Sequence, residues 1–171
     1  MDPDTPGFPI TVNPSDLERY LHEHIPLTAA MGVIVEVAGQ GRIVLRAPLD
    51  PNINHRDTVF GGSASALAIL ACWALVHLRM RELGHSPRRI VIQRNSMEYE
   101  RPIEGEFTAE CRAPDAGAWD RFLRILERRG IARIGLEATL HDEGVDGARS
   151  ESAAGRFEGA YVVMEDGKDR R

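Results

Sequence analysis

The sequence predicts an α+β fold in which a strongly curved antiparallel sheet of about six strands wraps one long central helix. Three observations carry that expectation. The run from Thr58 to Val76 holds no formal charge, and a helix that is apolar all round has to be surrounded. Residues 106–113 and 132–141 alternate apolar with polar side chains, the period of half-buried strands. The two other helical stretches are apolar on one face only, as befits the outside of a water-soluble domain.

In chain order, a flexible Pro-rich segment covers residues 1–12, and one domain occupies 13–164. Asn13 caps a helix that Pro14 starts; Leu17, Tyr20, Leu21 and Ile25 follow at helical spacing, and Pro26 limits it. A hairpin comes next, with Val33, Val35 and Val37 on one face, then Gly39-Gln40-Gly41, then Ile43, Leu45 and Ala47 facing inward. The central helix should run from about Gly62 to Leu83, a rod of roughly 30 Å stopped by Gly84. Ala64, Ala68 and Ala71 form a smooth stripe that lets a sheet approach, with Leu67, Leu70 and Trp73 beside it.

Arg89 to Tyr99 reads as a strand ending before Pro102, and Phe107, Ala109, Cys111 and Ala113 mark the inner face of the next. A short helix from about Ala118 to Arg129 buries Trp119, Phe122, Leu123 and Leu126 and closes at Gly130. Ala132, Ile134, Leu136, Ala138 and Leu140 then line the inside of the clearest strand. "DEGVDGA" turns the chain, and Ser150 to Met164 makes the last strand with Phe157, Tyr161 and Val163 on one face. The tail, 165–171, is expected to be disordered. Such a sheet leaves edges, which a second copy would cover, so a homodimer is expected.

Lys plus Arg number 21 against 26 Asp plus Glu, a net charge of −5, which gives nucleic acid and anionic membranes no electrostatic reason to bind. The uncharged run is long enough to raise a membrane span, but its glycines, serines and alanines and the amphipathic remainder favour a buried helix. Cys72 and Cys111 sit in apolar settings, as buried free thiols do in a reducing compartment, so the cytoplasm is expected. "MDPDTPGFPI" lacks the pattern of a signal peptide. "HEHIP" lacks the histidine spacing of a zinc helix, and no metal is expected. Arg121, Arg124 and Arg128 share one side of the second short helix, either a solvated face or a dock for an acidic carrier or coenzyme phosphates.

Three stretches resemble a known family: "PLDPNINHRDTVFGGSASALAILACWAL", "YERPIEG" and "RRGIARIGLEATL". They look like the hotdog-fold thioesterase superfamily and, more closely, the family named for the YiiD C-terminal thioesterase domain. Together they cover most of residues 15–164, and the first is the most specific. The resemblance implies a hotdog dimer, or a higher oligomer, acting on acyl groups carried as thioesters of coenzyme A or acyl carrier protein. No cofactor is implied beyond the coenzyme A or phosphopantetheine that carries the substrate. It also implies that the thioester carbonyl meets the N-terminus of the central helix.

Chemistry agrees with that placement. Gly61 and Gly62 leave amides unobstructed at a helix start, where four donors lack partners and the dipole favours negative charge. With Phe60 and Ser63 they are the candidate oxyanion and substrate-binding residues; the alternative is that the glycines only let the loop turn and the helix pack. Asn54 stands where many hotdog thioesterases place a polar group that positions the carbonyl or a water, so it is a candidate catalytic residue; the alternative is an ordinary turn asparagine. His55 is the second catalytic candidate, as a proton shuttle or donor.

The chain also departs from its better-known relatives. Phe60 stands in place of their histidine, and Ile69 in place of the aspartate or glutamate that serves as base or nucleophile. Asp50, Asp57 or Glu98 would have to substitute. Ser63 and Ser65 do not form a nucleophile elbow. Hydrolysis of an acyl-CoA or acyl-carrier thioester, the commonest activity of the superfamily it resembles, is the first expectation. Decarboxylation of a malonyl thioester, which some family members are understood to perform and which needs no base, is the second. A non-catalytic acyl-binding protein is the third.

Overall fold

The computed structural model describes residues 12–39, 41–84, 88–144 and 152–165. Helices α1 (Pro14–His24) and α2 (Pro26–Ala30) lead into strands β1 (Ile34–Gly39) and β2 (Arg42–Ala47). A short 3-10 turn, Asp50–Asn52, precedes the central helix α3 (Gly61–Glu82). Then come β3 (Arg88–Tyr99), β4 (Glu106–Arg112), helix α4 (Ala116–Arg129), β5 (Ile131–Gly144) and β6 (Gly155–Glu165). The strands form one six-stranded antiparallel sheet in the order β1-β2-β4-β5-β6-β3, leaving β1 and β3 as edges.

The α+β class and the helix-in-sheet architecture are as the sequence predicts. The alanine stripe Ala64, Ala68 and Ala71 is buried with Leu67 and Leu70, and the inward residues of β4, β5 and β6 close over it. Small side chains on the rod bring the sheet close, and the large ones fill the space beside it, which is how a core reaches crystal-like density. Tyr161 reaches furthest: fully buried, it donates its hydroxyl to the Ile69 carbonyl at 2.9 Å. Cys72 and Cys111, remote in sequence, are neighbours in the core, and burial pushes the Cys72 thiol well up. The helix α3 is also the one described helix long and apolar enough to cross a membrane.

Several details differ from expectation, each for a local reason. A bulge between Val35 and Val37 shifts the register of β1, so the third inward residue is Ala38, and Val37 is only half buried. Pro26 does not simply limit α1; with its fixed φ it starts the second helix, α2. The central helix begins at Gly61, one residue early, and Gly84 stops it with φ +70°. The Asp115 side chain accepts from the Ala118 amide, so α4 begins at Ala116 rather than Ala118. Strand β5 continues through Asp142 and Glu143 to Gly144, and β6 starts at Gly155, later than Ser150, and ends at Glu165. The expectations for residues 1–11, for Gln40, for the turn after Gly144 and for the tail after Glu165 lie outside the described residues.

Candidate functional site

The loop before α3 is fastened at several points. Asn52, 2 % exposed, donates its side-chain amide to the carbonyls of Met31 (2.9 Å) and Pro48 (2.8 Å), and its own carbonyl accepts from the Phe60 amide at 2.7 Å. The Val59 amide donates to Ile103 at 2.9 Å, tying the loop to the β3–β4 connection. These bonds fix where α3 begins.

At that start no side chain caps the helix, and Phe60, the N-cap residue, has no polar atom to offer. Among the described residues no group accepts from the amides of Gly61, Gly62 and Ser63. Gly62 is exposed, and Gly61 and Ser63 are half buried. Two aromatic rings flank the tip without closing it. The Phe60 ring, 57 % exposed, lies where a Gly62 side chain would go; a Cβ there would come within 2.3 Å of it. Tyr99, the last residue of β3, donates its hydroxyl to the Gly61 carbonyl at 2.9 Å. Beside this first turn opens a cleft of about 380 Å³, lined among others by Thr58, Gly61, Tyr99, Arg101 and Ile103.

The predicted site residues are therefore brought together in part. Phe60, Gly61, Gly62 and Ser63 form one tip. Asn54 sits on the loop beneath it with every hydrogen-bonding position of its amide in use. It donates to Thr58 Oγ1 (2.8 Å) and the Val59 carbonyl (3.3 Å), and accepts from the amides of Arg56 (2.7 Å) and Thr58 (3.4 Å). Its chemistry is spent on closing the 54–58 loop, where Asp57 takes a left-handed φ of 58°. His55 is exposed on that loop, its Nε2 accepting from Arg56 Nε at 3.4 Å.

Ile69 is partly buried against the core. Of the acids that would have to replace a carboxylate there, Asp50 and Asp57 are exposed. Glu98 faces the outer side of the sheet, opposite Arg156 in the register of β3 and β6. The carboxylate that does line the cleft is Glu100, which accepts from Arg156 Nε at 2.7 Å. Sequence reasoning missed Thr58, Tyr99 and Arg101. Their signal was faint: Tyr99 stands in the quoted "YERPIEG", but nothing local ties a phenol to a helix start 38 residues away.

A buried helix gripped by a curved antiparallel sheet, with uncapped amides opening on a cleft, defines a hotdog-fold protein of the thioesterase superfamily. Residues 14–165 match the family described as "Putative thioesterase (yiiD_Cterm)", and the chain belongs to that family. It is similar to a solved protein of unknown function from Chlorobaculum tepidum, at 33% identity and a TM-score of 0.80, over 89% of this chain and 94% of that one. A solved protein from Shewanella oneidensis, described as a "putative thioesterase", matches at 27% identity and 0.73, over 88% and 96%. A probable thioesterase from Pseudomonas aeruginosa matches at 25% and 0.72, over 90% and 97%.

Proposed function

We propose that the protein hydrolyses acyl thioesters carried on coenzyme A or acyl carrier protein, with the carbonyl oxygen held by the amides of Gly61, Gly62 and Ser63. One observation carries the reading: three unpartnered amides at the start of a 22-residue helix, beside a cleft, in a member of a thioesterase family. Water attacks the carbonyl carbon, the oxygen takes up negative charge, and the sulfur leaves with a proton. Donors fixed before the reaction stabilise that charge without reorganising, and each contributes about 3 to 4 kcal/mol in well-studied sites. Asn54 keeps the loop that presents the tip in shape. His55 is that loop's imidazole and the proposed proton carrier.

A second reading is favoured by Ile69 and by the pairing of Glu100 with Arg156, which leave no free carboxylate described at the cleft. Decarboxylation of a malonyl thioester suits such a site. The carbon–carboxyl bond breaks, CO₂ departs, and the electron pair moves onto the same carbonyl oxygen before the carbon is protonated. That step uses the oxyanion donors and needs no base.

The functional unit in this proposal is a homodimer. Strand β3 is an edge with one side of its hydrogen-bonding ladder unpaired, and Ala66, Ile69 and Trp73 on α3 are only partly covered. The neighbouring free thiols suit a reducing compartment, and we place the protein in the cytoplasm. The test offers purified protein acetyl-, hexanoyl- and malonyl-thioesters of both carriers. Thiol release supports hydrolysis; CO₂ with an intact acetyl thioester supports decarboxylation. Tight binding without either product leaves an acyl-binding protein and overturns both enzyme readings. Sedimentation of the same preparation at the monomer mass overturns the dimer.

A further inference from the structure

We infer that Tyr99 is a positioning residue for the oxyanion site: its hydroxyl holds the peptide group between Gly61 and Gly62 so that the Gly62 amide stays aimed outward. The inference rests on the function proposed above and adds a residue from the edge strand to the helix tip.

The carbonyl of Gly61 and the N–H of Gly62 belong to one planar, trans peptide unit, so they point in opposite directions and turn together. The Tyr99 hydroxyl donates to that carbonyl at 2.9 Å. Pinning the oxygen therefore pins the N–H. Pinning is needed here because the plane lies between two glycines, whose backbones turn at less cost than those of other residues, and because no side-chain cap steadies this turn. The ring adds a wall on one side: a Cβ on Gly61 would come within 3.3 Å of Tyr99 Cζ and Oη. A donor on the carbonyl also polarises the peptide, which strengthens the N–H on its other side.

Burial does not account for the contact by itself. Tyr99 is 57 % exposed, whereas Met97, two residues earlier on the same face, packs against the core. Packing would be a property of the ring and positioning a property of the hydroxyl, so Tyr99→Phe separates them.

Two readings are taken on wild type and Tyr99→Phe: the amide resonance and hydrogen-exchange rate of Gly62 in isotope-labelled protein without substrate, and steady-state kinetics with hexanoyl-CoA. We expect the Gly62 resonance to move and its exchange to quicken, while Gly135, on the outer face of β5, stays unchanged. We expect kcat to fall about tenfold with KM held within about twofold, the signature of an interaction felt in the transition state. An unmoved Gly62 resonance in Tyr99→Phe overturns the inference, whatever the kinetics. A moved resonance with wild-type kcat overturns it as well. Should the wild type turn over no thioester, the proposed function falls, and the Gly62 resonance alone decides whether Tyr99 holds this peptide.

Discussion

The indole of Trp73 stacks on the imidazole of His77 one helical turn later, with ring centroids 4.8 Å apart and planes 14° from parallel. Tyr20 of α1 also stacks on His77 at 4.6 Å, on Trp73 at 6.5 Å and on His24 at 4.1 Å. This column docks α1 onto the C-terminal half of α3. Burial pushes the His77 pKa down to about 4, with the positive charges of Arg81 and His24 acting in the same direction. Its Nε2 is buried without a hydrogen-bond partner among the described residues.

That depressed pKa sets a pH dependence. Unfolded His77 titrates near 6.5 and folded His77 near 4, so between those values the unfolded chain binds more protons. Stability is therefore fully present above about pH 6.5 and falls as the pH drops toward about 4. The full shift corresponds to about 3 kcal/mol; water at the ring edge screens part of it, so we expect about 2 kcal/mol. Urea midpoints from about pH 7.5 to about pH 4.5 check this. His77→Phe should flatten the slope, and an unchanged slope would remove His77 as its cause.

Asn54→Ala should act on the loop as well as on turnover. With the side chain gone, the amides of Arg56 and Thr58 lose an acceptor and Thr58 Oγ1 loses its donor. Losing such bonds in a half-buried loop costs about 1 to 3 kcal/mol. We expect a lower melting temperature, faster proteolytic cleavage within residues 54–58, and reduced kcat/KM. Loss of turnover at the wild-type melting temperature would instead make Asn54 a group that touches substrate.

The sequence made the inside of this fold legible and left its joints obscure. Ala132 to Leu140 alternate so regularly that the inner face of β5 could be read directly, and every one of those five residues is buried. The bulge in β1 could not be read, because Val37 and Ala38 are both apolar and pattern alone does not choose between them. The start of α4 was recoverable in principle, since Asp115 is a favoured N-cap. At the site, Gly61 and Gly62 announced an open helix start because glycine removes an obstruction at a known place. The partners of Asn54, and the phenol on Gly61, depend on three-dimensional proximity that no periodicity encodes.

Two glycine-to-alanine changes should differ sharply, although both introduce close approaches. At Gly62 the added Cβ meets the edge of the exposed Phe60 ring, which can swing into solvent. At buried Gly105, just ahead of β4, it meets the backbone carbonyl of Gly144 at 2.7 Å, at the end of the β4–β5 ladder. We expect Gly62→Ala to change stability by no more than about 0.5 kcal/mol, helped by the better helix propensity of alanine. Gly105→Ala should cost about 2 kcal/mol or more, because strand backbone has to move. Equal urea midpoints for the two variants would refute the distinction.

Asp142 buttresses the wall of the cleft from behind. It is 8 % exposed, and its Oδ1 accepts from the Gly144 amide at 2.9 Å. Its Oδ2 faces the Glu104 amide and Arg101 Nη1, each at 3.5 Å. Arg101 in turn donates to the Ser152 carbonyl at 3.1 Å, so one carboxylate links β5, the β3–β4 connection and the approach to β6. Asp142→Ala leaves a half-buried guanidinium without its counter-charge and two backbone donors without acceptors, a combination that costs about 2 kcal/mol. Asp142→Asn keeps one acceptor oxygen and the side-chain shape, so it should recover part of that loss. Because Arg101 and Ile103 line the cleft while the amide tip belongs to α3, the damage should fall on substrate affinity more than on the chemical step. Thioester kinetics at a temperature where both variants remain folded should show KM raised several-fold and kcat held within about threefold; a collapse of kcat at constant KM would place Asp142 in the reaction itself.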